Sequence, residues 1–396
     1  MIQISPETQL FIREHSSDDV RALALQAKKY PDINMPTAIT QIAGRQVAAE
    51  KIPSWREIEE IWYPKHLSLE QCSSEITARY KARLLQGDSL TDLTGGFGID
   101  CSFLATGFKS ATYVERQEEL CEIAAHNFLI LNLNHINVRN EDGVAYLQTM
   151  SPVDCIFLDP ARRNEHGGKT VAISDCEPNV AELEALLLSK ANRVMIKLSP
   201  MLDLSLALKE LKHTQEVHIL SVNNECKELL ILLGQTSPAE IAIHCVNLLT
   251  KGTQEEQHLV FTREQEQRSQ CTYTASLGDY LYEPNASLLK AGAFRRIAAA
   301  YPVRKLHPNS HLYTSDSFIE NFPGRIFRIA NQCSLNKKEV KENLADLKKA
   351  NVTVRNFPAT VTELRKRLHL TEGGDTYLFA STLNNGQKVI IRCEKV

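Results

Sequence analysis

The sequence predicts an α/β protein whose central domain is an open, doubly wound sheet, and two observations predict that fold. Between residues 86 and 235, short apolar runs alternate with segments of helical periodicity, as in parallel strands joined by helices. The last two apolar runs, at 217–222 and 229–233, lie too close together for a helical crossover and therefore form a hairpin. A parallel series that closes with a hairpin is a Rossmann-like sheet with a reversed edge.

The chain of 396 residues is too long for one core, and we divide it into four predicted parts. Residues 1–85 form an N-terminal helical region, in which 67–81 is the clearest helix. The sheet domain covers 86–272. A small unit at 273–318 and a compact α+β module at 319–396 follow.

The elements of the sheet domain follow from the spacing of its apolar residues. Strands are predicted at 90–93, 111–114, 136–138, 153–158 and 193–198, and helices at 99–106, 117–131, 178–190 and 203–212. After the hairpin we expect an edge strand at 241–249 and then a charged, glutamine-rich loop that runs to residue 272.

The small unit and the last module differ from the sheet domain in pattern. In the small unit, 282–286 opens a helix that carries Lys290, Arg295 and Arg296. In the last module, strands are predicted at 325–329, 352–357, 377–381 and 389–393, and helices at 336–350 and 360–369.

Local signals support the helices and the hairpin of the last module. Asn336 with Glu339 and Thr360 with Glu363 fit capping boxes at the starts of its two helices. The Asn385-Gly386 pair predicts a tight turn between its last two strands.

The formal charge of −3 hides an asymmetry along the chain. Residues 325–396 contain 14 basic and 7 acidic side chains, which leaves 31 basic and 41 acidic side chains for the rest. A basic module on an acidic body indicates a polyanionic partner, and a solvated helix face explains the same charges equally well. If the partner is RNA, the candidate contacts are Lys348, Lys349, Arg365 and Arg367.

The cysteines and the hydropathy favour a cytoplasmic protein. Ten scattered cysteines form no Cys-x-x-Cys pair and no Cys/His metal spacing, so we expect reduced thiols, no disulfide and no bound metal. No apolar run approaches the roughly 18 residues of a membrane span. The first residues show neither the basic start nor the apolar core of a secretory signal.

A glycine-rich stretch, Asp-Leu-Thr-Gly-Gly-Phe-Gly-Ile-Asp, lies between a predicted strand and a predicted helix. Glycines let the backbone approach a ligand closely, and the free N–H groups of the helix point at it, as an adenosyl cofactor requires. Cys101 stands where a dinucleotide fingerprint has its third glycine or alanine, which disfavours a dehydrogenase. The candidate cofactor contacts in this stretch are Asp92, Thr94, Gly95, Gly96, Phe97, Gly98 and Asp100.

Acidic residues lie at or just beyond the ends of three successive predicted strands beside this loop. Asp92 can accept a hydrogen bond from an ammonium group, Glu115 from ribose hydroxyls, and Asp142 from an adenine amino group. Each acid alone is more readily a helix cap or a loop residue, but the three together favour a cofactor site.

The helix predicted at 67–81 is polar without being charged. As a flap over the cofactor it offers Gln71, and also Ser73, Ser74 or Thr77, for polar contacts. The alternative is a capped surface helix with Ser68 as its N-cap.

Two further motifs end the fourth and fifth strands, at the edge where ligands bind in open α/β sheets. In Asp159-Pro160-Ala161-Arg162-Arg163, the acid can contact the cofactor and accept a hydrogen bond from a target amine, while the proline stiffens the turn. Arg162 and Arg163 either clamp a phosphate or form surface ion pairs. Lys197 either contacts a phosphate, tunes the site or pairs with a neighbouring acid.

These motifs, together with residues 69–75 and Arg355-Asn356-Phe357-Pro358, resemble a bacterial family of class I S-adenosylmethionine-dependent methyltransferases with a THUMP-like domain. The resemblance covers nearly the whole chain. It implies a ferredoxin-like domain at 273–318 and a THUMP-like domain at 319–396. Because THUMP domains bind RNA, it also implies an RNA substrate, either tRNA or rRNA.

The motif at the end of the fifth strand bears on the atom that is methylated. A similar Asp-Pro-Ala-Arg run occurs in 5-methyluridine RNA methyltransferases, which place a nucleophilic cysteine at the end of strand five. Here that place holds Lys197-Leu198-Ser199-Pro200, so transfer to nitrogen or to a ribose oxygen is favoured over transfer to C5. A methyltransferase of a protein or small molecule, and a non-catalytic RNA-binding protein, are the alternatives.

Overall fold

The computed structural model describes residues 4–162, 172–252 and 254–396. The chain forms two compact units, Met1–Gln215 with Leu230–Pro238, and Glu216–Leu229 with Ala239–Val396. Within the described residues, no helix is both long and apolar enough to cross a membrane.

The first unit opens with helices, as predicted. Side chains of Ser5, Asp19 and Asn34 cap the first three long helices by accepting hydrogen bonds from first-turn amides. Apolar faces of these helices meet in a core around Phe11 and Ile42. The helices are α1 Pro6–Glu14, α2 Val20–Leu25, α3 Met35–Lys51, α4 Pro53–Arg56, α5 His66–Gln71 and α6 Glu75–Ala82.

The single helix predicted at 67–81 is wrong, because α5 and α6 are separate helices. Cys72 and Ser74, on either side of Ser73, have an extended backbone with ψ of 160° and 155°. The Ser73 hydroxyl between them donates a hydrogen bond to the Asp100 carboxylate at 2.7 Å. Such side-chain bonds compete with helical hydrogen bonding, which explains the break.

The alternating strands and helices predicted for the sheet domain are confirmed, with one added helix, α9. In the first unit the large sheet has the order β9-β7-β4-β1-β2-β3, and β5 pairs with β6 in a separate two-stranded sheet. Pairings β1–β2, β1–β4, β2–β3 and β4–β7 are parallel. The elements are β1 Ser89–Asp92, α7 Ile99–Ala105, β2 Ser110–Glu115, α8 Glu118–Ile130, β3 Ile136–Asn140, α9 Gly143–Thr149, β4 Val153–Leu158, β5 Ala161–Arg162, β6 Cys176–Glu177, α10 Val180–Lys190, β7 Ala191–Leu198 and α11 Leu204–Glu210.

The predicted hairpin is formed by β8 Thr214–Val222 and β9 Glu225–Gly234. Its two-residue turn, Asn223 and Asn224, has φ of 47° and 71°. Tight hairpins require this left-handed backbone at both central residues, and asparagine tolerates it better than most side chains.

The second unit extends beyond this hairpin in the order β11-β10-β8-β9. The predicted edge strand is β10 Ala242–Leu248, but it is not an edge, because β11 Glu256–Phe261 pairs with it on the outside. This strand and helix α12 Arg263–Arg268 replace the predicted loop. An edge strand buries few side chains, so its apolar signal in the sequence is weak.

The rest of the second unit is a seven-stranded sheet with the order β13-β14-β12-β15-β18-β17-β16. Its core contains Phe327, Phe379 and Ile391. The elements are β12 Tyr280–Pro284, α13 Ala286–Ala291, α14 Phe294–Ala300, β13 Arg304–Lys305, β14 Tyr313–Ser315, β15 Gly324–Cys333, α15 Lys337–Leu344, β16 Asn351–Arg355, α16 Val361–Leu368, β17 Thr376–Thr382 and β18 Lys388–Lys395.

Two helices of this region differ from the prediction. The one expected to carry Lys290, Arg295 and Arg296 is split into α13 and α14 at Gly292, whose φ is 75°. Helix α15 ends at Leu344 rather than at residue 350.

One of the two predicted capping boxes forms. Thr360 and Glu363 cap α16 reciprocally. At the start of α15, Asn336 caps the helix, but Glu339 accepts from the Ser334 amide instead of completing a box.

Candidate active site

The glycine-rich loop turns directly from β1 into α7. Asp92 is the last residue of β1, and its Oδ1 accepts a hydrogen bond from the Thr94 amide at 3.0 Å. Gly96 and Gly98 have φ of 55° and 87°, a backbone conformation that side chains with a Cβ rarely adopt. The Thr94 hydroxyl accepts from the Asp159 amide at 2.6 Å, so this loop is tied to the residue that follows β4.

A buried charged cluster lies beside the loop and consists of Ser73, Lys81, Asp100, Asp159 and Lys197. The Lys197 ammonium lies 2.6 Å from Asp159 Oδ2 and 3.3 Å from Asp100 Oδ2. The Lys81 ammonium lies 3.0 Å from Asp100 Oδ1. The Ser73 hydroxyl accepts from both lysines, at 2.9 and 3.0 Å, and donates to Asp100. Two cations and two anions therefore share one hydrogen-bonded network.

Burial and neighbouring charges act in opposite directions on the acids of this cluster. Desolvation raises the pKa of Asp100, but the two lysine ammonium groups and the Ser73 hydroxyl lower it to about 2. Desolvation also raises the pKa of Asp159, and the Lys197 ammonium opposes that rise without cancelling it. Asp100 is thus a firmly ionised structural anion, while Asp159 retains some proton affinity.

Asp92 is an acid of a different kind, because it is 1% exposed and no ion pair joins it to a cation among the described residues. Desolvation, together with the nearby Asp100 and Asp159 charges, raises the pKa of Asp92 to about 8, although the Thr94 amide and Lys197 lower it. Its Oδ2 is buried and has no hydrogen-bond partner among the described residues. A buried carboxyl oxygen without a partner is expected to meet a ligand.

The acids that follow β2 and β3 are bonded to backbone amides. Glu115 accepts from the Gly96 amide at 3.0 Å and from the Gln117 amide at 2.9 Å, so its carboxylate lies against the loop. Asp142 is exposed, and its Oδ1 caps α9 by accepting from the first amides of that helix. Both carboxylates keep lone pairs that can accept further hydrogen bonds.

Two of the predicted loop contacts, Gly95 and Phe97, are packed tightly against other residues of the protein. The Phe97 ring is buried against Trp55, with ring centroids 5.3 Å apart, and also contacts Tyr63. A Cβ on Gly95 would lie 2.2 Å from the Tyr113 ring, so that glycine is required by internal packing. Only the backbone of these two residues can contribute to a ligand site.

The remaining predicted site residues are placed as follows. Gln71 is exposed at the end of α5, and Pro160 is buried directly after β4. Arg162 belongs to β5, but its side chain and the whole of Arg163 lie outside the described residues. The assigned roles of all these residues stay predictions.

Comparisons with known proteins place the chain in a family. Residues 280–323 match a family profile described as a ferredoxin-like domain, and residues 324–395 match one described as THUMP domain-like. The whole chain is similar to the crystal structure of a candidate methyltransferase from Porphyromonas gingivalis W83, with 33% identity, 100% coverage of both chains and a TM-score of 0.86. The chain belongs to the THUMP-like-domain class I methyltransferases. The resemblance read from the sequence motifs is thereby confirmed.

Two further solved structures match part of the chain. An rRNA methylase from Streptococcus thermophilus is 14% identical over 40% of this chain and 93% of its own, with a TM-score of 0.30. SMU.1697c, a candidate methyltransferase from Streptococcus mutans in complex with SAH, is 12% identical over 40% and 96%, with a TM-score of 0.30. At such TM-scores these matches carry no argument about this chain. No curated protein matches it.

In this THUMP-like-domain methyltransferase, sequence reasoning missed one member of the charged cluster, Lys81, and gave no definite role to another, Ser73. Lys81 is fully buried, whereas a lysine near the end of an amphipathic helix is normally exposed. The usable signal was the adjacent Ser73 and Ser74, because serine hydroxyls compete with helical hydrogen bonding and can bond to groups elsewhere in the fold.

A cavity of about 380 Å³ lies elsewhere in the first unit, at the amino ends of β4 and β7. Asp154 lines it, but its Oδ2 already accepts from the Asp88 and Ser89 amides and from the Ser89 hydroxyl. Its carboxylate is therefore structural. The opposite, carboxyl ends of the strands carry the loop and the charged cluster, so we place the candidate site there.

The basic residues predicted in the THUMP-like domain have unequal surroundings. Lys348, Lys349 and Arg367 are exposed, and Arg367 donates to the Leu335 carbonyl at 2.8 Å. Arg365 is half-buried and forms an ion pair with the exposed Glu372 at 3.1 Å. The charges of Lys348 and Lys349 are therefore less offset by neighbouring groups than the charge of Arg365.

Proposed function

We propose that this protein transfers a methyl group from S-adenosylmethionine to a nitrogen atom of a tRNA or rRNA base. One observation carries the proposal. The carboxyl ends of β1, β4 and β7 bring Asp92, Asp159 and Lys197 around one glycine loop, and the buried Oδ2 of Asp92 has no partner among the described residues. The family relation to a candidate methyltransferase supports it.

The residues of the loop fit a cationic adenosyl cofactor. A positive charge near Asp92 would favour its ionised form and supply the partner that Oδ2 lacks. A Cβ on Gly96 would contact nothing closer than the Thr94 carbonyl at 3.8 Å, so the loop surface there is open to a ligand. Glu115 would accept from ribose hydroxyls and Asp142 from the adenine amine. When bound, S-adenosylmethionine supplies an electrophilic methyl group.

Charge balance in the cluster supports the same ligand. With Asp92 protonated, the two lysines offset Asp100 and Asp159, and the group as a whole is neutral. Ionisation of Asp92 leaves one uncompensated negative charge in a buried place. A bound cation would balance that charge, which favours a sulfonium cofactor with an ammonium group over a neutral one.

Asp159 is the residue that we assign to the methyl acceptor. Its side chain is about one-third exposed, and Lys197 holds one of its oxygens at 2.6 Å. Asp159 would accept a hydrogen bond from an exocyclic or ring N–H of the base and take the proton as the new bond forms. Methyl transfer depends mostly on alignment, so the ion pair that fixes this carboxylate acts by positioning.

The THUMP-like domain supports RNA as the substrate class. Residues 324–395 match that domain, and the exposed Lys348 and Lys349 would contact phosphates without sequence preference. This assignment rests on the resemblance and on surface charge.

Transfer of labelled methyl groups from S-adenosylmethionine to a cell extract tests the proposal. We expect the label in the nucleic-acid fraction, removed by ribonuclease, and lost with Asp159→Asn. Calorimetry should show that Asp159→Asn still binds the cofactor, and the exposed Asp32→Asn serves as the matched control. Label that survives ribonuclease in protein would overturn the RNA assignment.

The base is then identified by mass spectrometry of modified nucleosides in RNA from a deletion strain and from the wild type. We expect one N-methylated nucleoside to be absent from the deletion strain. Loss of a C5-methylated pyrimidine would contradict the assignment to nitrogen.

A further inference from the structure

A cluster of three histidines and one glutamate lies in the second unit, apart from the residues assigned to methyl transfer. Glu216 and His218 are two residues apart on β8 and therefore share a face of the sheet. His244 on β10 is the direct neighbour of His218 in the parallel register. His258 on β11 lies opposite Val246, which makes it the diagonal neighbour of His244.

The nitrogen and oxygen atoms of this cluster converge. The rings of His218 and His244 are stacked with centroids 4.2 Å apart. His218 Nε2 lies 3.2 Å from Glu216 Oε2, and His244 Nδ1 lies 3.2 Å from His258 Nε2. One donor atom from each of Glu216, His218 and His244 lies within 4.8 Å of the other two. Ligands about 2.1 Å from a tetrahedral zinc ion are about 3.4 Å apart, so small side-chain rotations would complete a site.

The donor types select among metal ions. Imidazole nitrogens with one carboxylate suit zinc and its neighbours in the first transition row, whereas magnesium and calcium prefer oxygen ligands throughout. His218 is 2% exposed and Glu216 about one-third exposed, so the donors lie at a partly dry surface with access for an ion. His258 is exposed, and its Nε2 lies 3.2 Å from His244 Nδ1, close enough for His258 to serve as a fourth ligand.

We propose that Glu216, His218 and His244 bind one divalent transition-metal ion of the zinc class, with His258 completing the coordination. The ion would join β8, β10 and β11 by bonds between residues that are distant in sequence. Such a site stabilises the folded chain, because the unfolded chain does not hold the ligands together. The ligands come from three strands, and apart from Glu216 and His218 they are distant in sequence, which is why the sequence predicted no metal.

Titration of the untagged full-length protein, first stripped with a chelator, tests this site. We expect one Zn²⁺ per chain by calorimetry, a Co²⁺ absorption spectrum typical of four-coordination, a higher unfolding temperature with Zn²⁺, and none of these with Mg²⁺. Failure to bind Zn²⁺, or a stoichiometry that varies with surface histidines, would overturn the proposal.

Variants separate the proposed ligands from other histidines. His244→Asn and Glu216→Gln should each weaken Zn²⁺ binding more than the roughly 10- to 100-fold loss that outer-shell partners cause. His213→Asn is the matched control, since His213 also contacts a glutamate, Glu184, at 3.3 Å. Circular dichroism verifies folding of each variant. Unchanged affinity in the folded Glu216→Gln and His244→Asn proteins would show that the cluster is only a packing arrangement.

Discussion

The charged cluster and the basic residues of the THUMP-like domain use lysine in opposite surroundings. Lys81 is fully buried and Lys197 nearly so, and each lies within 3.3 Å of an aspartate oxygen. Lys348 and Lys349 are exposed on the other unit. A buried ammonium depends on its partners, whereas a surface ammonium acts through a field that salt screens. Neutralising a buried lysine of the cluster should therefore change stability and catalysis, and neutralising an exposed lysine of the THUMP-like domain should change mainly RNA affinity.

Replacing Lys81 by methionine tests whether a buried lysine of the cluster stabilises the fold. Of the changes considered, it has the largest expected effect on stability. The change keeps the length of the side chain but leaves Asp100 with one ammonium instead of two. We expect the free energy of unfolding to fall by about 3 kcal/mol, since breaking a buried ion pair leaves a charge uncompensated. Urea denaturation measures it, and the exposed Lys209→Met should change stability by less than about 0.5 kcal/mol. Equal losses of stability in Lys81→Met and Lys209→Met would show that burial of Lys81 makes no difference to its contribution.

The pH dependence of stability distinguishes Asp92 from Asp100. The pKa of Asp92 is about 8 in the folded protein, against about 3.9 in an unfolded chain. The folded protein keeps a proton that the unfolded chain loses, so this acid makes stability fall as pH rises from about 4 to about 8. The pKa of Asp100 is lowered to about 2, so its contribution is present above about pH 4 and is lost as pH falls from about 4 to about 2.

Asp92→Asn should remove only the first of these effects. Between pH 5 and pH 7, the wild type should lose about 1.4 kcal/mol of stability per pH unit relative to this variant. Urea denaturation at pH 5, 6 and 7 gives the difference, with Asp32→Asn as the control that keeps the wild-type slope. Parallel slopes for wild type and Asp92→Asn would show that this acid is ionised in the folded protein.

Neutralising Lys348 and Lys349 together tests whether these exposed lysines contribute to RNA affinity. The double variant Lys348→Gln, Lys349→Gln should lower the slope of log affinity for RNA against log salt by about 1.5, because each phosphate that a lysine neutralises contributes about 0.7 to 0.9 to that slope. Its stability should stay within about 0.5 kcal/mol of the wild type. Lys28→Gln with Lys29→Gln, a second pair of neighbouring lysines, should leave the salt slope unchanged. Filter binding at several salt concentrations decides between these outcomes.

Arg365→Gln should have the smallest effect on RNA affinity. Glu372 lies 3.1 Å from this guanidinium and already offsets its charge. We expect a smaller decrease in affinity than with Lys348→Gln, whereas Glu372→Gln should restore some positive field and strengthen RNA binding slightly. A decrease with Arg365→Gln that exceeds the decrease with Lys348→Gln would mean that RNA displaces Glu372.

The positions of the parallel strands along the first unit followed from the sequence because a parallel series buries whole strands in apolar runs, as in 153–158. Strand β11 did not follow, because an edge strand alternates weakly and its polar first half, Glu256 to His258, resembles a loop. The break between α5 and α6 was missed for another reason. The helical signal of 67–81 is local, whereas the bond that interrupts it joins Ser73 to Asp100 across the fold.

In the candidate site, too, the residues at strand ends could be predicted from the sequence, whereas contacts between residues distant in sequence could not. Asp92, Asp159 and Lys197 were selected because their positions at strand ends are readable from the pattern of strands. The partner of Lys197 was left open between a phosphate and an acid, and the structure pairs it with Asp159 and Asp100. Lys81 could not be selected, since nothing in a helical pattern states that a lysine is buried opposite a distant aspartate.

The sheet domain depends on residues that precede it, because the break between α5 and α6 lets Ser73 bond to Asp100. Ser73 and Lys81 bond to Asp100 alongside Lys197, and both precede the first strand. A chain shortened to the sheet alone would retain the glycine loop and all its acids. Of the cluster residues that contact Asp100, however, it would keep only Lys197. Ser73 and helix α6 therefore help to hold Asp100 in the candidate site, and domain exchange between relatives should preserve the junction between them and the sheet.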